Sequence, residues 1–410
     1  MKAKTLLPIF LIAAFCHANT VLADIPLVRV RIAQSLSEFF VLPEGQVQVS
    51  CYQGREVVAR FSSQRGLTAR LNSETIALDE GGVVKSANLD RIIIRPEGNQ
   101  KFASINGRKF RGYLEIAIDR KSNEMLGINH VNLENYLKGV VPLEMGVRLM
   151  QTPADREAFK VQAVAARTYA LTRLGANTAR LYDLESTVRD QVYGGYEVEE
   201  QIINWAIDQT KGEVLTDGQM LVQAYFHANC GGATEDIQNT WPWRDGEPYL
   251  ISHEDSDYCS WAKNYAWEQE WSKAELEESI NAFIRVRTGD STFQSGNLLD
   301  LQILRRSNAG RVEQIRILTD RGEWGVQADS IRWCFRKQKL GRGIMPSIKF
   351  DLEITRNQAN EIFAVKFTGR GNGHGVGMCQ IGSLGRARAG QTYRQILSAY
   401  YNGSELKKMY

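Results

Sequence analysis

Hydrophobic and polar residues alternate through the first quarter of the chain. "LVRVRIA" from Leu27 and "GQVQVSCY" from Gly45 to Tyr52 place every second side chain on one face, and glycine or asparagine turns separate such runs. "RGYLEIAID", from Arg111 to Asp119, continues the alternation. The period changes at Leu133. "LENYLKG" reads as a short helix with Gly139 as a left-handed stop, and Pro142 suits the first position of a new turn, which puts Glu144 at its third. The strongest helical pattern follows. Thr152 is the expected N-cap, Pro153 the first helical residue, and Asp155 completes something close to a capping box. Ala158, Val161, Ala165 and Tyr169 then recur near helical spacing, and Gly175 ends the run. Ala163, Ala165 and Ala166 let this helix approach its neighbours closely, so it is expected to be buried.

Beyond it the pattern predicts a helix over 201–210 and a hairpin turning at Asp217-Gly218. A helix capped by Ser272 with Glu275 at its third position follows. Strands are expected in "LQILRR", "VEQIRILTD" and "FDLEIT", and a last helix starts at Thr392. The predicted class is mixed α+β: a helical core at 111–410 interleaved with antiparallel strands, preceded by a small β-rich domain at 24–110.

Composition changes little in this picture. The 410 residues are 43% hydrophobic and 24% charged, ordinary for a folded chain. The first residues are different. Lys2 and Lys4 precede a short apolar run, Leu6 to Phe15, and Val21-Leu22-Ala23 fits a cleavage site. Residues 1–23 are therefore expected to be an export signal cut after Ala23. Its loss would lower the formal charge of +3 by two. A nearly neutral mature chain without a basic run argues against nucleic acid as a partner. No later run is apolar for long enough to span a bilayer.

"GRGNGHGVGMCQIG", Gly369 to Gly382, has six glycines among fourteen residues. It lacks the terminal Gly-Lys-Ser/Thr of a phosphate loop, and the arginine-rich segment after it does not suit a dinucleotide fold. A tight turn with positive φ, or a close approach to a ligand, both remain open. "HANC" and "HEDSDYC" supply His227, Cys230, His253 and Cys259. Two histidines and two cysteines suit a tetrahedral structural zinc, while an exported chain equally suits a Cys230–Cys259 disulfide.

Several ordered blocks carry a resemblance. "VNLENYLKGVVPLEM", "TPADREAFKVQAVAARTYAL", "RDQVYGGY", "YFHANCGGATED", "MPSIKF" and the tail from "GHGVGMCQ" onward resemble the SpoIID/LytB family of exported bacterial cell-wall proteins. The resemblance covers roughly Arg111 to Tyr410. It implies a peptidoglycan lytic transglycosylase, which cleaves the MurNAc–GlcNAc bond without water and leaves a 1,6-anhydro sugar. Glu144 corresponds to its acid/base. The other branch of the family implies a non-catalytic enhancer of a cell-wall amidase. Glycan strands, and for that branch an amidase, are the implied partners, in the periplasm or otherwise outside the cytoplasm. No cofactor is needed for such catalysis.

The apolar neighbours of Glu144 (Val140, Val141, Pro142, Leu143, Met145) suit a carboxyl that keeps its proton. A position in a helical first turn would oppose this. Candidate substrate contacts are Arg167, Gln191, Tyr193, His374, Gly375 and Gln380, four of them with a structural alternative: a solvated helix charge for Arg167, core packing for Gln191 and Tyr193, a loop-fixing role for His374. The chain departs from the family pattern at Cys379, where serine is common, and at Ile381, where tyrosine is common.

Overall fold

The computed structural model describes residues 24–98, 102–337 and 343–410; the expected export signal at 1–23 lies outside them. The described residues form a mixed α+β fold, and no helix among them is long and apolar enough to cross a membrane.

The alternating segments pair as strands, but not into a separate domain. A seven-stranded sheet runs in the order Leu184–Glu185, Leu27–Ser35, Glu124–Asn132, Tyr113–Asp119, Arg91–Pro96, Val47–Gln53, Glu56–Ser63. Strands from both sides of residue 110 are hydrogen-bonded neighbours: Leu27–Ser35 pairs antiparallel with Glu124–Asn132, and Arg91–Pro96 with Tyr113–Asp119. The expected boundary at 110 thus falls inside one hydrogen-bonded layer. One apolar core joins that layer to a six-stranded companion sheet and the helices, from Val28 and Phe39 through Ala166 to Tyr401. The physical reason is the half-buried face of each sheet, which must be covered by its neighbour.

A second core was not foreseen. Trp271, Ile280, Ile315, Phe335, Phe350 and Phe367 form it. It fills a lobe of two three-stranded sheets and the helix Lys273–Thr288, inserted between Tyr265 and the glycine loop. Ser272 and Glu275 make the expected reciprocal capping box on that helix.

The long helix, Asp155–Arg173, packs through its alanines as expected, with Ala163, Ala165 and Ala166 fully buried. The helix starts at Asp155 with Ala154 as its N-cap, two residues after the expected start at Pro153, and Asp155 accepts hydrogen bonds from the backbone N–H groups of Gln151 (2.7 Å) and Thr152 (2.8 Å) in the turn that leads into it. Gly139 does end the helix Leu133–Lys138, but with φ −93° rather than in a left-handed conformation. Its lack of a side chain serves packing instead: a Cβ there would lie 2.4 Å from the Tyr193 ring.

Candidate active site

Glu144 closes a single helical turn, Val141–Glu144, in which Pro142 is the second residue and not the first. One turn carries little macrodipole, and Glu144 is at its C-terminal end, so no helix start stabilises its charge. The segment "DQVYGG" packs alongside, joined by the Gly194 N–H to Gly139 O bond of 2.9 Å. Val192 in that segment donates its N–H to Glu144 Oε1 at 3.2 Å, and the Gln380 side chain also bonds the carboxylate. Burial dominates over both and pushes the Glu144 carboxyl above the usual carboxylate range.

Glu144 lies in the wall of a cleft of about 350 Å³. Tyr169, Asp190 and Val192 line it on one side, and Trp241, His374 and Gln380 on another. Tyr225 to Ala228 lie between, because Phe226–His227 pairs in parallel with Met378–Cys379. Tyr225 and Trp241 stand 4.8 Å apart between ring centroids, and Trp241 and His374 5.0 Å, so the wall is aromatic. Of the carboxyls lining the cleft, Asp190 is already engaged. It accepts from the Tyr169 hydroxyl (3.2 Å) and the Glu185 N–H (2.9 Å), with Arg173 at 3.9 Å.

The six expected substrate contacts separate into two groups. His374 and Gln380 line the cleft. Both ring nitrogens of His374 are occupied: Val376 N–H donates to Nδ1 at 3.1 Å, and Nε2 donates to Phe226 O at 2.9 Å. The ring is neutral, with burial pushing its pKa down to about 4. It fixes the loop. Gly375 does not face the cleft; with φ +90° it makes room for the Arg311 guanidinium, whose Nε a Cβ would approach to 2.6 Å. Gly377 similarly lies against Tyr225 O. The glycine loop is therefore built for close backbone packing against residues 225–231.

Arg167, Gln191 and Tyr193 are core residues. Arg167 is fully buried and bidentate to Glu134 (2.9 and 2.8 Å), neither lining the cleft nor solvated. Gln191 accepts from the Tyr136 hydroxyl at 3.1 Å, and the Tyr193 hydroxyl donates to Asn129 Oδ1 at 2.8 Å. Both brace the segment that aims the Val192 N–H at Glu144. The pairing of Tyr225 and Trp241 went unread because "NTWPWRDG" has no periodicity to place it.

The proposed His₂Cys₂ set also divides. Cys230 and Cys259 come together, their sulfurs 3.5 Å apart and not bonded as a disulfide. His227 and His253 are elsewhere. His227 Nδ1 donates to Val376 O at 3.2 Å and its ring lines the cleft, with Nε2 unpartnered. His253 Nδ1 bonds the Thr234 hydroxyl at 2.9 Å. Asp255 and Cys379 take their places beside the two cysteines, all four buried.

Residues 121–216, which include Glu144 and the long helix, match the family model described as stage II sporulation protein, SpoIID. Over that stretch the chain is similar to the SpoIID family. Residues 237–377 match a second model, a domain of unknown function (DUF8618), which takes in the inserted lobe, Trp241 and His374. The cleft thus combines residues of the first matched region with residues of the second. The chain is 28% identical over 84% of its length to an uncharacterized protein of Brachyspira hyodysenteriae, covering 86% of that protein. It is 27% identical over 76% of its length to the amidase enhancer of Bacillus subtilis, spanning 46% of that longer protein. It is 24% identical over 72% of its length to stage II sporulation protein D of Bacillus subtilis, covering 79% of it.

Proposed function

We propose that this protein is an exported peptidoglycan lytic transglycosylase with Glu144 as its acid/base. The observation that carries the reading is a buried carboxyl in an aromatic cleft, its pKa raised by burial and its position set by Val192 and Gln380. The reaction needs one such group. Glu144 gives its proton to the glycosidic oxygen as the C1–O bond of MurNAc breaks. The resulting carboxylate then takes the proton of the sugar's own C6 hydroxyl, whose oxygen bonds to C1 and closes the 1,6-anhydro ring. Glu144 ends protonated and no water is consumed. A hydrolase would ordinarily call on a second free carboxylate, and Asp190 is held by three partners. The unpartnered His227 Nε2 supplies an acceptor for a sugar hydroxyl, and Tyr225 and Trp241 supply faces for the ring.

Likeness to an amidase enhancer supports a second reading, a glycan-binding partner of an amidase that breaks no glycosidic bond itself. Mass spectrometry separates the two. The mature chain is incubated with peptidoglycan, with and without stem peptides. Anhydro-muropeptides in the wild-type digest carry the transglycosylase reading, and their absence from both substrates overturns it in favour of the enhancer.

Trp241→Ala is expected to weaken glycan binding about tenfold or more, since truncating a central aromatic anchor typically costs about 2 kcal/mol. Trp241→Phe should retain most of the affinity. Isothermal titration with soluble glycan fragments checks both, and equal affinity for all three proteins removes Trp241 from the binding surface.

A further inference from the structure

We infer that Cys230, Asp255, Cys259 and Cys379 form a zinc site that fastens the candidate active site to the core. Their ligand atoms lie within 4.8 Å of one another, and all four residues are buried. Tetrahedral zinc bonds of about 2.3 Å place two sulfurs about 3.8 Å apart. The Cys230 and Cys259 sulfurs are 3.5 Å apart, far from the roughly 2.05 Å of a disulfide. The five cysteines of the described residues are all free thiols.

The surroundings fit a negatively charged metal–thiolate centre. Backbone N–H groups of Cys230 and Gly382 each donate to Cys379 Sγ at 3.2 Å, and those of Gly231 and Gly232 to Cys259. Asp255 is oriented by the Arg386 guanidinium (2.9 Å) and by the Tyr400 hydroxyl (2.9 and 2.8 Å). This is the outer ring of hydrogen bonds that a ligating carboxylate requires. Gly382 allows the approach, because a Cβ there would lie 2.2 Å from Asp255 Oδ2. Arg311 is fully buried, donates to Cys230 O at 2.8 Å, and has Nε and Nη1 without partners. Three thiolates and a carboxylate around Zn²⁺ carry a net charge of about −2, which Arg386 and Arg311 offset. Binding displaces the thiol protons to solvent and needs no oxidant.

The site explains the cysteine at position 379. It joins three segments distant in sequence: the turn at Cys230, the loop at 255–259, and the start of the helix Gln380–Arg388. The next residue, Gln380, bonds Glu144. The metal is structural, with four protein ligands and no open position.

The test uses the mature full chain, purified without a histidine tag. Metal analysis should give one zinc per chain, and cobalt substitution should give thiolate-to-cobalt charge transfer with tetrahedral d–d bands. Tyr400→Phe, which keeps all four ligands, should weaken zinc binding about 10- to 100-fold. Cys379→Ser should lose the metal, and His253→Ala should keep it. An intact mass showing a Cys230–Cys259 disulfide, a metal-free native chain, or full zinc retention by Cys379→Ser would each overturn the site. None of these readouts uses a glycan substrate, so their failure is distinct from failure of the transglycosylase reading.

Discussion

Glu144→Gln should abolish formation of anhydro-muropeptides, a loss of about 10²- to 10⁴-fold or more for a positioned acid/base. It should do so without cost to stability at neutral pH. Burial raises the Glu144 pKa in the folded chain, so ionising it opposes folding. The contribution runs in one direction: it is fully favourable below the unfolded carboxyl pKa, and is lost as pH rises through the raised folded value. Glutamine has no charge to desolvate and can still accept the Val192 N–H. The wild type should therefore lose stability relative to Glu144→Gln as pH rises above the usual carboxylate range, while cleavage by the wild type declines over the same titration. Urea melts at several pH values, run beside the digest, check both. A variant as active as wild type would leave the reaction class standing and remove Glu144 as its acid. A variant less stable than wild type at neutral pH would show that its carboxylate is stabilised in the fold.

Arg167→Met should destabilise the chain by about 3–5 kcal/mol at neutral pH, because it strips the partner from a buried carboxylate. Glu134 has 6% of its surface exposed and Arg167 has none. Glu134 Oε1 also accepts from the Tyr410 hydroxyl (2.6 Å) and the Gly212 N–H (3.2 Å), which ties the chain's last residue to the same carboxylate. Burial, the largest influence, would raise the Glu134 carboxyl. The hydrogen bonds and charge of Arg167, with Tyr410 and Gly212, more than compensate and hold it below its usual range. Its stabilisation is present above the unfolded pKa and is lost as pH falls through the depressed folded value. The gap between wild type and Arg167→Met should therefore narrow below about pH 4. The double variant Arg167→Met/Glu134→Leu should recover much of the loss, since no buried charge is left unpaired. Denaturant titration at neutral and acid pH measures this. A loss under 1 kcal/mol would mean the pair is not a determinant of the fold. Glycan binding by a folded Arg167 variant should match wild type, because the residue does not reach the cleft.

The local rules of the chain were legible wherever a signal is carried by neighbours in sequence. Ser272 and Glu275 announced their capping box, Thr392 announced the start of the last helix, and the alternation of "LVRVRIA" announced a strand. Periodicity could not say which strands pair. Leu27–Ser35 finds its partner almost a hundred residues on, at Glu124–Asn132, so a boundary drawn at 110 from the pattern along the chain falls inside one sheet.

For the site, the family resemblance pointed to Glu144, and its apolar neighbours in the same short stretch suited a carboxyl with raised proton affinity. It also named His374 and Gln380, which line the cleft with Glu144. Which polar residues face that cleft was decided by tertiary packing alone. Arg167, Gln191 and Tyr193 have the chemistry of sugar ligands, but each satisfies its hydrogen bonds in the core. Spacing likewise brought Cys230 and Cys259 into view, and suggested His227 and His253 as their companions. The parallel pairing of Phe226–His227 with Met378–Cys379 delivers Cys379 instead, and turns His227 toward the cleft. A sequence fixes the donors and acceptors a chain owns. Only the closed structure determines which of them are spent on one another, because a buried polar group must find its partner from whatever the fold brings within reach.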